Sequence, residues 1–248
     1  GKILYEITYD DGYILKEKSW YRDSENLNYE RNYKKIKDKR GNDPYIKSGL
    51  QRDGYENGQL KSESIIDEKD GKGNLTKEWF EDGSLKFEGR KTDDGKLMGI
   101  CREKIGGGYS IGRYEKGVPQ GKFKEFDVYD TLISTYSYKD GTRNGKFKGW
   151  YESGQVEFEG SFVDGREHGE LIRYSCFGTH STKIVMKYGE CWEGDDCEWY
   201  PNEQKESMVK YKEGKMYGKY IAWYENGNKK IEGQYNKVGG KKANKWIF

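Results

Sequence analysis

The residues able to perform acid–base or nucleophilic chemistry are few and lie far apart. The chain of 248 residues has two histidines, His168 and His180. A serine or cysteine nucleophile needs a base beside it, but His168 falls in a turn-like Glu-His-Gly segment and His180 in the irregular stretch 177–182. We therefore predict no catalytic residue and no enzymatic activity. The alternative is an active site in an irregular segment, 99–121 or 174–194.

Metal and cofactor chemistry is not favoured either. The acidic stretch 191–198 lacks the regular ligand spacing of a calcium loop, and no Lys-Ser/Thr follows the glycines at 106–108 to mark a phosphate site. Four cysteines form no C-x-x-C pair, and the histidines lack zinc-ligand spacing: Cys101, Cys176, Cys191 and Cys197. We predict no metal, no cofactor and a loop at 106–108. One disulfide between two of the last three cysteines remains an alternative to free thiols.

Composition predicts a folded chain with a thin aromatic core. Lys and Arg total 45 and Asp and Glu total 43, so the net charge of +2 favours neither nucleic acid nor an anionic membrane as partner. The chain has 22 Tyr and 7 Trp, and each buried ring covers a large area. No apolar run approaches the ~18 residues of a transmembrane segment. Gly1 at the start is compatible with a cytoplasmic protein or, after signal-peptide removal, with the cell envelope or secretion.

Glycines and aromatic residues recur in register about every 24 residues, which indicates a stack of one supersecondary unit. The marker glycines are Gly49, Gly73, Gly99, Gly121, Gly145, Gly169, Gly194 and Gly218. Five residues after the later markers stand Phe126, Trp150, Tyr174, Trp199 and Trp223. Stacked repeats of this kind favour a binding surface over a catalytic pocket.

Each repeat predicts one β-hairpin. In the segment 156–162 every second residue is apolar or glycine, the mark of a half-buried strand. The dipeptides at 82–83, 164–165 and 226–227 are Asp-Gly or Asn-Gly, which favour type I′ turns because both central residues need positive φ. Strand glycines should let a ring on the next strand lie flat over the backbone: Gly149, Gly160 and Gly233.

The predicted fold is therefore all-β, an elongated single antiparallel sheet of tandem hairpins twisted into a ribbon. Residues 49–240 carry the regular array, and 241–248 lose the pattern as a C-terminal cap does. Residues 1–48 read as degenerate hairpins with a loop at 34–48. We expect one continuous array rather than separate domains.

The hairpin string W-Y-E-[NS]-G-x-x-x-x-E-G-x-[YF]-x-x-G, carried by 150–165 and 223–239 and more loosely by 79–95, resembles the variant MORN repeat of bacteria. That group includes the YwqK-type antitoxins. The resemblance implies an interaction or scaffold module, some members being linked to membranes. Segments 126–130 and 199–203 depart from the pattern because they lack the turn glycine, so we expect altered turns there.

The favoured function is non-enzymatic protein binding, with a toxin as partner if the antitoxin resemblance holds. The predicted binding residues are Trp79, Trp150 and Trp223, which the alternation places opposite the tyrosines that follow Trp150 and Trp223. The alternative is a module at the cell envelope that binds carbohydrate or lipid headgroups through a ladder of rings. An exposed edge strand at the end of the array also favours an end-to-end dimer.

Overall fold

Residues 4–36, 45–66, 73–236 and 242–247 are described by the computed structural model, and they form strands joined by turns and short loops. None of these residues is helical, which confirms the all-β prediction. The chain divides into two compact units, residues 1–119 (unit 1) and residues 120–248 (unit 2).

Unit 1 is an antiparallel sheet in which strands adjacent in the chain pair with each other. β1 pairs with β2, β2 with β3, β3 with both β4 and β5, and each later strand with the next as far as β10. The strands are β1 (Tyr5–Asp10), β2 (Tyr13–Trp20), β3 (Leu27–Lys35), β4 (Tyr45–Lys47), β5 (Gly49–Gly54), β6 (Leu60–Ile66), β7 (Asn74–Trp79), β8 (Leu85–Lys91), β9 (Leu97–Ile105) and β10 (Gly108–Glu115).

Unit 2 continues the same hairpin plan. Its long strands pair in chain order, and the two-residue strands β13 and β16 extend the pairing of β12 and β15. The strands are β11 (Val118–Asp127), β12 (Leu132–Lys139), β13 (Thr142–Arg143), β14 (Gly145–Trp150), β15 (Val156–Val163), β16 (Arg166–Glu167), β17 (Gly169–Tyr174), β18 (Ser181–Lys187), β19 (Glu190–Trp199), β20 (Lys205–Lys212), β21 (Lys215–Trp223), β22 (Lys229–Tyr235) and β23 (Lys242–Ile247).

The segments predicted to be irregular are more regular than expected. The ends of the predicted loop 34–48 belong to β3 and β4, which pair with each other, while residues 37–44 lie outside the described part of the chain. Segment 99–121 is not irregular, because β9 and β10 pair without a register shift on either side of a tight turn at Gly106 and Gly107. In the predicted cap, β23 adds a strand to β22.

Two-residue turns form one set of hairpin connections. Asp140–Gly141 has φ of 49° and 82°, and Asp164–Gly165 has φ of 50° and 79°, so both are type I′ turns. The prediction at 164–165 is therefore confirmed. The glycine N–H also ties neighbouring repeats together, since Gly165 donates to the Arg143 carbonyl at 2.8 Å and Gly189 to the Glu167 carbonyl at 2.8 Å.

Three-residue turns form the other set, and here the type I′ prediction is wrong. At 82–83 and 226–227 only the glycine has a positive φ, 81° and 82°. In the second of these, the N–H of Gly227 donates to the Tyr224 carbonyl at 2.8 Å, and the N–H of Tyr224 donates to the Asn228 carbonyl at 2.8 Å. This is a type I turn followed by a left-handed residue. The preceding strand pair shifts register between Ala222 and Trp223.

The three-residue turn keeps its geometry where the glycine is missing, so the altered turns expected at 126–130 and 199–203 do not occur. Asp130 and Glu203 take the left-handed position with φ of 64° and 66°. The hydrogen bonds of the second turn are unchanged, because Tyr200 N–H donates to the Gln204 carbonyl at 2.9 Å and Glu203 N–H to the Tyr200 carbonyl at 2.9 Å. Left-handed backbone costs a non-glycine residue about 1–2 kcal/mol, so other contacts must hold these two turns.

The core of unit 2 lies on one face of the sheet, where rings cover glycines on the paired strand. Phe147 pairs with Gly160, and Gly149 pairs with Phe158. A Cβ on Gly149 would lie 2.3 Å from Cζ of Phe158, and one on Gly160 would lie 2.9 Å from Cζ of Phe147. Two of the three predicted ring–glycine contacts are thus confirmed, and at the third position Gly233 pairs with Tyr220. Leu171 and Ile184, a direct cross-strand pair, are buried on the same face.

The opposite face carries paired charges. Lys148 Nζ lies 2.6 Å from Glu159 Oε2, and Lys219 Nζ lies 2.6 Å from Glu232 Oε1. Exposed ion pairs of this kind contribute at most about 1 kcal/mol each. In these two hairpins the alternation therefore places the rings and the Lys–Glu pairs on opposite faces, and the buried rings contribute more to stability.

Candidate functional site

The three predicted tryptophans occupy one structural position, the end of a strand just before a three-residue turn. Trp79 pairs with Leu85, Trp150 with Val156 and Trp223 with Lys229, and in each case the register shifts immediately before the tryptophan. All three side chains are half-buried. Their role in binding stays a prediction.

A tyrosine that follows this position fastens each turn to the next repeat. The hydroxyl of Tyr55 donates to the Trp79 carbonyl at 3.1 Å, and that of Tyr200 donates to the Trp223 carbonyl at 2.9 Å. Tyr151 makes the equivalent bond to the Tyr174 carbonyl at 2.8 Å. The tryptophan column therefore supplies backbone acceptors as well as rings, a role that the sequence did not indicate.

Asparagine side chains add a second set of bonds between successive turns. Asn57 Nδ2 donates to the Glu81 carbonyl at 2.9 Å, and Asn202 Nδ2 donates to the Glu225 carbonyl at 2.9 Å. The turns of one side are thus fixed one against the next. In unit 2 we call this side the turn edge; it comprises residues 127–131, 151–155, 175–180, 200–204 and 224–228.

The turn edge of unit 2 displays exposed rings. Tyr129 is 85% exposed, Phe177 64% and Tyr224 51%. Tyr129 and Phe177 stand at turn positions that carry Ser153 and Asn226 in other copies. Sequence reasoning missed them because it followed the positions that repeat, whereas these rings are departures from the repeat. Comparing the turns with one another would have shown them.

The turn at 175–180 is one residue longer than its neighbours and is held by the left-handed Glu203. The carboxylate accepts hydrogen bonds from the Ser175 hydroxyl at 2.6 Å, from the Phe177 N–H at 3.0 Å and from the Thr179 hydroxyl. Desolvation opposes ionisation of Glu203, but these hydrogen bonds and one from the Cys176 thiol outweigh it and lower its pKa to about 2. The ionised side chain therefore fixes the loop that presents Phe177.

A polar groove of about 840 Å³ lies on the face of unit 1 that carries Phe87, the residue that pairs with Glu78. Its floor consists of two cross-strand rows on β5, β6 and β7. The rows hold no ring: Asp53, Ser62 and Glu78 in one, and Gln51, Ser64 and Thr76 in the other. Gln51, Ser62 and Thr76 stand at repeat positions that carry Phe147 or Phe158 in unit 2, and the absence of rings there leaves the groove open.

An ion pair stands at each end of this floor. Arg31 pairs with Asp53, whose other oxygen accepts the Ser62 hydroxyl at 2.8 Å. At the other end Lys91 Nζ lies 2.5 Å from Glu78 Oε1. The lining also contains Lys47 and Asp93, so its charges sum to zero. The groove offers many hydrogen-bonding groups to a ligand but no net field to attract an ion.

The histidines lie against rings. The His168 ring centroid is 4.7 Å from that of Tyr188, and the buried Nδ1 of His168 makes no hydrogen bond. His180 stacks on Trp199 with the ring planes 11° apart. Segment 174–194 contains all of β18 and the first five residues of β19, and the two strands pair with one register shift. Among the described residues, no group of three or more His, Cys, Asp and Glu side chains is placed to hold a metal ion.

The cysteines are free thiols. Cys191 pairs with Met186 on the ring face, whereas Cys197 pairs with Met208 on the face of paired charges. Burial raises the pKa of both thiols. Cys176 lies in the turn at 175–180, where its thiol is 3.4 Å from the Pro201 carbonyl.

The consecutive paired hairpins and the turns linked along the turn edge define a tandem β-hairpin repeat protein. Two segments of the chain, residues 143–164 and 216–237, match the family model described as the MORN repeat variant, so the chain carries this repeat at both places. Each match spans a strand, a three-residue turn and the strand that follows. No curated protein matches the chain. Within the described residues no helix is long and apolar enough to cross a membrane.

Proposed function

We propose that the chain is a non-enzymatic binding or scaffold protein whose protein partner docks on the turn edge of unit 2. The carrying observation is the exposure of Tyr129, Phe177 and Tyr224 along a single edge. Exposed rings are enriched at protein interfaces and expensive to leave in water. Trp150 and Trp223, half-buried at the base of the same turns, would contribute to the rim.

The rigidity of the turn edge also supports it as the docking surface. Its turns are fixed by the tyrosine and asparagine hydrogen bonds and by the Glu203 contacts. A partner would therefore meet a surface already in its bound shape, which lowers the entropic cost of association. Tyr129 and Phe177 lie two repeats apart, or four strand spacings, roughly 20 Å. That span suits a folded protein surface better than a small ligand.

Site-specific photo-crosslinking tests this proposal. A photoreactive phenylalanine analogue at Tyr129 or at Phe177 is expected to capture one and the same protein in cells of the source organism. The matched control is Tyr188, which is 53% exposed but lies in the two-residue turn Tyr188–Gly189 on the other side of unit 2. Equal capture from Tyr188, or different proteins captured from Tyr129 and Phe177, would refute docking at the turn edge.

An antitoxin role is a more specific proposal than protein binding. It requires that the captured partner arrests growth when expressed alone and that co-expression of this chain restores growth. Replacing Tyr129 and Phe177 with serine should then abolish the rescue. A harmless partner would leave the binding proposal standing and remove the antitoxin role.

Saccharide binding is a second candidate function, favoured by the groove of unit 1. Its floor of hydroxyl and amide groups between two ion pairs matches a ligand with many neutral hydroxyl groups. An ionic ligand would have to disrupt the Arg31–Asp53 or the Lys91–Glu78 pair, whereas a neutral one can add hydrogen bonds to them. Ile46 and Ile66 give the lining apolar surface for the sugar carbons.

Titration with maltotriose and chitotriose, followed by backbone amide NMR, checks this second function. Shifts are expected at Ser62, Ser64 and Thr76, and Ser64→Leu, which fills the floor, should abolish them. Lys77→Ala on the opposite face of β7 is the matched control and should keep them, since Lys77 pairs with Glu88 outside the groove. Shifts that survive in Ser64→Leu, or none in the unaltered chain, would dismiss the groove as a sugar site.

A further inference from the structure

Strand β1 lies at one edge of the sheet of unit 1. Among the described residues, only β2 pairs with β1. Tyr5 and Tyr9 on this strand are 47% and 58% exposed. An edge of this kind is a template for pairing with a further strand, and proteins usually protect it with lysine or proline. β1 contains neither, although Lys and Arg account for 45 residues of the chain.

One hydrogen bond fixes which backbone groups of β1 point outward. The N–H of Trp20 donates to the Leu4 carbonyl at 3.1 Å, so Leu4 is a hydrogen-bonded residue toward β2. In an antiparallel pair such residues alternate with residues whose N–H and C=O point away. Glu6 therefore also faces β2. The register shift between Thr8 and Tyr9 leaves Leu15 of β2 unpaired and adds no residue to β1, so the free backbone groups belong to the alternate residues Tyr5, Ile7 and Tyr9.

We propose that a second copy of this chain pairs with β1 through its own β1, in an antiparallel dimer centred on Ile7. In this register Ile7 lies opposite Ile7 of the other copy, and Tyr5 lies opposite Tyr9. Each of the three residues whose backbone groups point away from β2 then lies opposite such a residue of the other copy. Each of these pairs exchanges two backbone hydrogen bonds, so the dimer can form about six. The arrangement has two-fold symmetry, the commonest form of self-association.

The side chains fit this register as well as the backbone does. Successive residues of a strand alternate between faces, so the two-fold axis places aromatic and β-branched residues together on one face. On the other face it sets Glu6 opposite Thr8. No two like charges lie directly opposite, and aromatic and β-branched cross-strand pairs are favourable. A single strand pair buries less surface than a standard stable interface, so we expect a weak dimer whose population rises with concentration.

Sedimentation velocity over a range of concentrations tests the proposal on the full chain. The unaltered protein is expected to shift from monomer toward dimer as concentration rises. Ile7→Lys should remain monomeric, because it sets two lysines opposite each other at the axis. Thr8→Lys is the matched control and should dimerise at least as well, since its lysine meets Glu6 of the other copy. Far-UV circular dichroism establishes that both variants stay folded.

A cross-link provides an independent readout of the register. Residues in a hydrogen-bonded antiparallel pair have Cα atoms about 5.5 Å apart, within disulfide range. Oxidation of Ile7→Cys should therefore join the two introduced thiols, as identified by peptide mass spectrometry, and oxidation of Thr8→Cys should not. A protein that stays monomeric at every concentration, or equal behaviour of the two positions in either experiment, would overturn the proposal.

Discussion

Phe147→Ala should lower the free energy of unfolding by about 3–5 kcal/mol, the usual cost of deleting a buried ring. Phe147 is 6% exposed, and its ring centroid lies 4.5 Å from that of Phe162 and 5.8 Å from that of Phe158. It also covers Gly160 on the paired strand. The substitution would leave Gly160 uncovered, because the described residues of unit 2 form one sheet and provide no second layer that could relax into the gap.

The matched control is Phe177→Ala, the same chemical change at a ring that is 64% exposed. It should change stability by no more than about 0.5 kcal/mol, as surface substitutions usually do. Urea unfolding measures both variants. Amide hydrogen exchange should show the loss of protection centred on β14, β15 and β17, because stability in a repeat array comes from each repeat and its neighbours. Equal destabilisation by the two variants would contradict a core made of rings over glycines.

The ring–glycine core was predictable because it depends on local alternation alone. Once the period of two places Phe158 and Gly160 on one face, the hairpin sets the pairing, and Phe147 and Gly149 follow. The charged face follows from the same parity. These features need only neighbouring strands, which is why short-range patterns in the sequence were sufficient.

Turn geometry was less predictable because one dipeptide serves two geometries. Asp-Gly forms a type I′ turn at Asp164–Gly165 but ends a three-residue turn at Asp82–Gly83. The difference comes from the register shift between Glu78 and Trp79, which depends on how the two strands pair. Glu203 adopts a left-handed conformation for a reason still further away in sequence, its contacts with Ser175 and Thr179.

The groove of unit 1 was not predicted because three strands must be in register before it exists. Gln51, Ser64 and Thr76 are unremarkable polar residues in the sequence, and they form a row only when β5, β6 and β7 are paired. The signal that could have revealed them is a local reversal of the alternation. Between residues 50 and 78 polar residues occupy the face that carries the rings in unit 2, while Ile65 and Leu75 form an exposed cross-strand pair on the other face.

Gly54→Ala is expected to be among the most damaging single substitutions in unit 1. Gly54 stands at the repeat position that holds Trp79, Trp150 and Trp223 in other copies, so the repeat pattern alone predicts that a side chain is tolerated there. The structure forbids it, because a Cβ on Gly54 would lie 1.9 Å from the Leu27 carbonyl oxygen. Backbone atoms cannot rotate away as a side chain does, so β3 and β5 would have to separate.

That separation would also disturb the bond from the Tyr21 hydroxyl to the Gly54 carbonyl, now 3.0 Å long. We expect a loss of about 3 kcal/mol, at the upper end of overpacking costs, measured by urea unfolding. Hydrogen exchange should locate the loss in β3, β5 and β6. Gly107→Ala is the matched control, since no atom lies within 4 Å of its added Cβ. If Gly54→Ala proves as stable as Gly107→Ala, the Leu27 carbonyl does not lie against Gly54 as described.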